Sequence, residues 1–260
     1  MLGPQGKRDE DFPWWLVILG FTGLWLFWEV LSRDYYAAVL QTLAKGIGVT
    51  IAVAVIAYLG ACLIGLGLAM MSLSRHLVLR QIARLYIEVM RGVPIIVLLL
   101  YVAFAISPAL VAGVNALAGE EVWRPRDFPL IARAAIALML AYSAFLAEIF
   151  RAGLQAVPVG QIEAAQALGL SGWQRFRHIT LPQAFRLILP PLGNDFVAMV
   201  KDSSLVSVLG VADITQLAKV TAAGNFRYFE TYNVAALLYL VMTIGLSLLL
   251  RRIEARMRSR

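Results

Sequence analysis

The 260-residue sequence has little charge, one cysteine and two histidines. Asp, Glu, Lys and Arg make up 15% of it, where a soluble domain carries about 25%. With 60% hydrophobic residues, a surface built for water is excluded. An integral membrane protein of several helices is the expectation. The lone Cys62 excludes an internal disulfide. Inside an apolar run it reads as a small buried hydrophobe. His76 and His178 stand apart among basic residues, and no Cys/His spacing suits zinc or haem. No G-x-x-x-x-G-K-S/T phosphate loop is present. There is no low-complexity tract and no region for a separate soluble domain.

What is there is apolar runs near the roughly 20 residues that cross a bilayer core. Six occur, at 14–31, 46–72, 86–110, 129–151, 187–211 and 232–250. Lys7 and Arg8 precede the first, as in a signal peptide. That run is long, rich in Trp and Phe, and without a small-residue cleavage site, so a retained helix is expected. Gly60, Gly65 and Gly67 in the second predict close approach of a neighbouring helix. The third contains Pro94. The fifth is expected to be broken by Pro190-Pro191 and by Lys201-Asp202.

The net charge of +7 raises nucleic acid as a partner. The positions of the charges answer otherwise. With the N-terminus inside, the inner segments 1–13, 72–91, 151–186 and 251–260 hold fifteen Lys and Arg, and the outer segments hold seven. This is the bias of a membrane protein with both termini in the cytoplasm, and nucleic acid drops out. Glu88/Arg91 and Glu148/Arg151 repeat one spacing, and each is expected to pair on a helix face near the inner boundary.

One inner stretch departs from the apolar character: VGQIEAAQALGLSGWQRFRHITLP, residues 159–182. Pro158 and Gly160 are expected to end the preceding helix. Gln161–Leu168 reads as a short helix, with Gly169 as its left-handed C-terminal residue. Ser171 and Gln174 have the spacing of a capping box for a second helix, and Pro182 is expected to interrupt further on. A helix resting on lipid headgroups normally carries bulky apolar anchors. The smooth face of Ala164, Ala165 and Ala167 fits another protein better.

Glu163-Ala164-Ala165, Gly169, Ile179 and Leu181-Pro182 are seven fixed positions across 20 residues. Their spacing resembles the EAA loop of permease subunits in ABC importers that work with a binding protein. AEIFRAGLQAVPVGQIEAAQALGLS, LPQAFRLILPPLGN, KDSSLVSVLGVADI and EVMRGVPIIVLLLY resemble the polar amino acid branch of that family. The similarity covers about residues 44–251. Where that branch often has Lys-Asp-Thr-Ser, this chain has Lys201-Asp202-Ser203-Ser204.

The resemblance implies an all-α integral membrane protein with a type I ABC importer transmembrane domain of about six helices. Residues 1–43 would add one N-terminal helix to a five-helix core at 44–251, and 252–260 would form a basic cytoplasmic tail. The cytoplasmic loop at 153–186 would be the coupling element docked on an ATPase. Gly160, Glu163, Ala164, Ala165, Gly169, Leu181 and Pro182 would form it together with Arg175 and Arg177, with Glu163, Arg175 and Arg177 at its polar rim. The chain itself would be no enzyme and would hold no cofactor, ATP being bound by the partner subunit. The implied partners are a cytoplasmic ATPase dimer, a second permease of the same or a related kind, an extracytoplasmic solute-binding protein and a polar amino acid. The implied location is a bacterial cytoplasmic membrane.

Lys201, Asp202, Ser203 and Ser204 are the candidates for a substrate path, because ionisable groups inside a membrane mark function by default. The competing reading is a structural ion pair between Lys201 and Asp202. An ion-driven secondary transporter is the alternative class, since six runs could be two inverted halves. Such a transporter has no use for an ATPase docking loop.

Overall fold

The computed structural model describes residues 14–258. The expected basic segment 1–13 and the end of the tail, 259–260, lie outside them. All regular structure among the described residues is helical. Helix α1 (Trp14–Ser32) covers the first expected run. Helix α2 (Asp34–Ala44) turns at Lys45-Gly46 into α3 (Ile47–Ser72). Among the described residues, four stretches are long and apolar enough to cross a membrane: Asp34–Ser72, Ile95–Ala118, Leu130–Gln155 and Tyr228–Met257.

The third expected run proves to be two pieces. Helix α4 (Leu77–Gly92) is amphipathic, with Ala83 and Ile87 buried and Val78, Ile82, Leu85 and Val89 exposed. It stops at Val93, which is extended at φ −90° and ψ 129°. The residue before a proline avoids the helical region because the ring would strike its backbone. Pro94 then caps α5 (Ile95–Tyr101). A wide π-turn at Val102–Ile106 leads into α6 (Ser107–Ala118).

Helix α7 (Leu130–Gln155) is the centre of the molecule. Its buried alanines (Ala134, Ala137, Ala141, Ala144 and Ala147) give α3 and α4 a flat wall. Gly65 of α3 meets that wall so tightly that a Cβ would lie 2.9 Å from the Ser143 carbonyl oxygen. Small residues are what permit such an approach between membrane helices. Gly60 also faces α7, at Met139, whereas Gly67 faces open space.

Two short helices, α8 (Val159–Ala167) and α9 (Gly172–Arg175), precede a second π-turn at Phe176–Thr180. Helix α10 (Leu181–Asp202) follows without a break, so Pro182 starts α10 and interrupts nothing. Both π-turns lie just before a proline at the second helical position, Pro108 and Pro182. A proline ring clashes with the carbonyl four residues back, and a wider turn moves that carbonyl aside. Ser107 and Leu181 donate their N–H groups five residues back, to Val102 and Phe176.

The fifth run also differs from expectation. Helix α10 runs through Pro190-Pro191, and its break falls after Asp202, where a 3-10 turn covers Ser203–Leu209. Helix α11 (Ile214–Asn225) starts on the buried Asp213, whose carboxylate accepts from the Gln216 N–H at 2.8 Å. Helix α12 (Tyr228–Arg258) closes the bundle.

Candidate functional site

The segment that follows α7 is anchored on one face and bare on the other. Val157 packs with Ala184 and Ile188 of α10, and Ile162 of α8 joins the same cluster. The Gln183 amide donates to Gln161 Oε1 at 2.6 Å. Ala165, only 3% exposed, turns inward with them. Gly160 lies within the first turn of α8 and does not end the helix before it, because α7 has already stopped at Gln155. Gly160, Glu163, Ala164 and Ala167 face outward. The smooth outer face is thus narrower than the alanine count implies, and Val159 (67% exposed) and Leu168 (81% exposed) flank it.

The corner itself is a complete C-terminal motif. Gly169 is left-handed, φ +76°. Its N–H donates to the Gln166 carbonyl at 3.0 Å, and the Leu170 N–H donates to Ala165 at 3.1 Å. These two bonds satisfy carbonyls that a helix end would otherwise leave unpaired. No atom lies within 4 Å of where a Cβ on Gly169 would stand. Ser171 then starts α9 with the expected capping box: its Oγ accepts from the Gln174 N–H, and its own N–H donates to Gln174 Oε1 at 2.8 Å. Trp173 stacks on Phe176 with ring centroids 5.9 Å apart. Arg175 is half-buried, while Arg177, Leu181 and Pro182 are exposed. Arg151 pairs with Glu148 as expected. Arg91 does not pair with Glu88; its guanidinium lies over the Phe145 ring, 5.8 Å from the centroid.

The four residues expected along a substrate path do not act as one cluster. Asp202 Oδ2 accepts from the Tyr142 hydroxyl at 2.7 Å, across to α7. Lys201 forms no ion pair with it among the described residues. Successive helical residues point about 100° apart, so the two neighbours face different surroundings. Lys201 instead lines an open groove of about 320 Å³ beside Thr243, Ser247 and Arg251. The buried Ser203 hydroxyl donates back to the Val200 carbonyl at 2.8 Å, and Ser204 is half-buried.

Over residues 61–259 the chain matches the family described as the inner membrane component of binding-protein-dependent transport systems. That match includes the whole of the 159–182 corner and the Tyr142–Asp202 contact. The chain belongs to this family. Among its relatives, the glutamine transport system permease protein of Escherichia coli (strain K12) is 37% identical over 219 residues, 84% of this chain and 94% of that protein. A probable amino-acid permease protein of Bacillus subtilis (strain 168) is 35% identical over 85% of this chain and 93% of its own length. In three dimensions this inner membrane component matches a chain in the crystal structure of an amino acid ABC transporter with histidines. The TM-score is 0.71 at 36% identity, over 87% of this chain and 97% of that one. A methionine ABC transporter in an inward-facing conformation shares the fold at TM-score 0.65 and 18% identity, over 84% of this chain and 96% of that chain.

Sequence reasoning missed two features of the site. Tyr142 is the partner of Asp202, and nothing in the apolar run around it marks it. Leu168 and Trp173 are exposed large apolar groups of the outer corner, and their presence in a segment read for its alanines was the available signal.

Proposed function

We propose that the chain is a membrane-spanning permease subunit of an ATP-driven amino acid importer in a bacterial cytoplasmic membrane. It forms the translocation path together with a second permease. Residues 153–186 couple that path to ATP bound by a cytoplasmic ATPase dimer, and a solute-binding protein delivers a polar amino acid from the other side. Family membership and the named relatives support the permease role. The observation that supports the coupling role is the corner at Gly169: a hydrogen-bonded left-handed turn with open space where a Cβ would stand, in a segment whose Glu163, Ala164, Leu168 and Trp173 are exposed. A short element held firmly by Ile162, Ala165 and Gln161 on its inner side transmits displacement to α7 and α10. A nucleotide that closes the ATPase binds one arrangement of the paired corners better than the other, and that difference drives the switch.

Gly169→Leu tests this. A residue with a Cβ costs about 1 kcal/mol in the left-handed region. Open space around the position lets the bundle fold. A leucine there overpacks a docked partner by roughly 1–3 kcal/mol. The variant is expected in the membrane in normal amount, with ATP-driven uptake and substrate-stimulated ATP hydrolysis lost together and the ATPase retained less well on purification. Wild-type uptake with the ATPase firmly bound overturns the coupling role.

A further inference from the structure

Arg133, at the start of α7, is only 7% exposed. A charge so buried needs partners, and two of them are backbone carbonyls. Its Nη1 donates to the Ala103 carbonyl at 2.8 Å, and its Nε donates to the Phe128 carbonyl at 2.9 Å. The guanidinium also lies over the Phe128 ring, 5.8 Å from the centroid. Ala103 has a specific need for such a donor, because it lies in the π-turn before Pro108. In a regular helix its carbonyl would take the Ser107 N–H, but that N–H goes to Val102, as does the Ser107 hydroxyl at 2.7 Å. In the wider register it would take the N–H of residue 108, and a proline has none. Ala103 is fully buried, so water does not serve it. At the matching turn before Pro182 the corresponding residue is Arg177, which is exposed.

The Ala103 and Phe128 carbonyls are the two ends of one excursion of the chain, out along α6 and back through the loop 119–129. The excursion is bonded to itself. Asn115 Oδ1 accepts from the Val122 and Trp123 N–H groups, both at 3.0 Å, and its Nδ2 donates to the Trp123 carbonyl at 2.7 Å. It buries little against the rest of the chain. Only Ser107 and Val111 of α6 are buried, and Leu110 and Leu117 are exposed. A cavity of about 100 Å³ remains between Leu110 and Val114 of α6 and Trp123 and Phe128 of the loop. Few buried contacts mark a segment that opens at low cost, and a π-turn inside a helix is a place where it bends. We propose that α6 and residues 119–123 move as one outer flap about the Val102–Ile106 turn, and that Arg133 is the latch across its base. With both carbonyl bonds made, the two ends of the flap are held to α7. With them broken, the flap swings while the bundle stays packed.

Hydrogen exchange of the full chain, purified with the subunits that accompany it, reads the flap directly. In wild type the amides of residues 107–123 are expected to exchange together, and faster than those of α3 and α7. Arg133→Gln should speed that exchange about tenfold, the scale of one charge-assisted hydrogen bond, and leave α3 and the centre of α7 unchanged. Pro108→Ala restores an N–H, so in either register the Ala103 carbonyl has a backbone donor. In that background Arg133→Gln should have a much smaller effect. An equal effect of Arg133→Gln in both backgrounds, or faster exchange throughout the bundle, overturns the proposal. Should Arg133→Gln alone not assemble in the membrane, the double variant with Pro108→Ala must still do so; failure of both overturns it as well. None of these readouts involves uptake or ATP, so they stand apart from the coupling role.

Discussion

The Tyr142 hydroxyl donates to Asp202 Oδ2, and this bond ties the last turn of α10 to the central helix. Bonds to a charged group contribute about 1.5–3 kcal/mol. Tyr142→Phe removes the donor, keeps the ring and leaves a half-buried carboxylate without its partner. The purified variant is expected to unfold at lower temperature by a stability loss of that size. Lys201 is different. It lines an open groove and holds no ion pair among the described residues, so Lys201→Gln should leave thermal unfolding unchanged. If Lys201 is on the substrate path, the same variant slows uptake. A stability loss for Lys201→Gln equal to that for Tyr142→Phe would reinstate an ion pair in the membrane. The adjacency of the two residues in sequence suggested a pair. A helix forbids it, because neighbours along the chain point in different directions.

Among the elements, Asp213 shows how a local signal and a distant contact combine. It caps α11, but it also accepts from the Tyr239 hydroxyl of α12 at 3.1 Å. Gly46 leaves room there, since a Cβ on it would lie 2.5 Å from the Ile214 nitrogen. Burial pushes the Asp213 carboxyl above its usual range, opposed by the N–H groups of Gln216 and Thr215 and by the Tyr239 hydroxyl. A carboxyl raised in the fold is more readily protonated there than in the unfolded chain. Stability therefore rises as pH falls through the folded value towards the unfolded one, and that increment is lost as pH rises. Asp213→Asn keeps the capping oxygen and should flatten this part of the pH–melting curve. Asp213→Ala should cost about 0.5–2 kcal/mol at any pH by loss of the cap. A curve for Asp213→Asn parallel to wild type would exclude the carboxyl as its source. Caps and corners of this kind were legible where the partners are near in sequence: Gly169, Ser171 and Gln174 all take their expected places. Prolines were legible as positions but not as outcomes. Pro94 ends a helix, Pro182 follows a wide turn, and Pro190-Pro191 pass within a continuous one. The first two follow from clashes of the ring with the local backbone, whereas nothing in the sequence around Pro190-Pro191 marks α10 as continuous there. Tyr142 was hidden from Asp202 because the two lie 60 positions apart.

At the scale of the whole molecule, contacts sort the chain into two ends. At one, Arg227 lies over the Tyr35 ring at 4.4 Å and Asn225 donates to the Tyr35 hydroxyl. At the other, Arg186 and Pro190 of α10 border one cleft with Glu254 and Met257 of α12. The basic residues follow the same division. Arg175, Arg177, Arg186, Arg251 and Arg252 belong with the second end and Arg33, Lys219 and Arg227 with the first, and over the whole sequence the segments expected inside hold fifteen Lys and Arg against seven outside. Cytoplasmic loops carry the excess of Lys and Arg, so the second end, with residues 159–182 and the end of α12, should face the cytoplasm. Single cysteines test this. Cys62 is half-buried in α3 and must first be replaced; Cys62→Ala removes one sulfur from a partly packed site. Gln174 and Gly224 are exposed, and a Cβ on Gly224 meets no atom within 4 Å, so a cysteine at either should be tolerated. In intact cells an impermeant maleimide should label Gly224→Cys and leave Gln174→Cys untouched until the membrane is opened. Labelling of Gln174→Cys from outside would place the corner on the wrong side for any cytoplasmic ATPase, and it would remove the coupling role whatever the behaviour of Gly169→Leu.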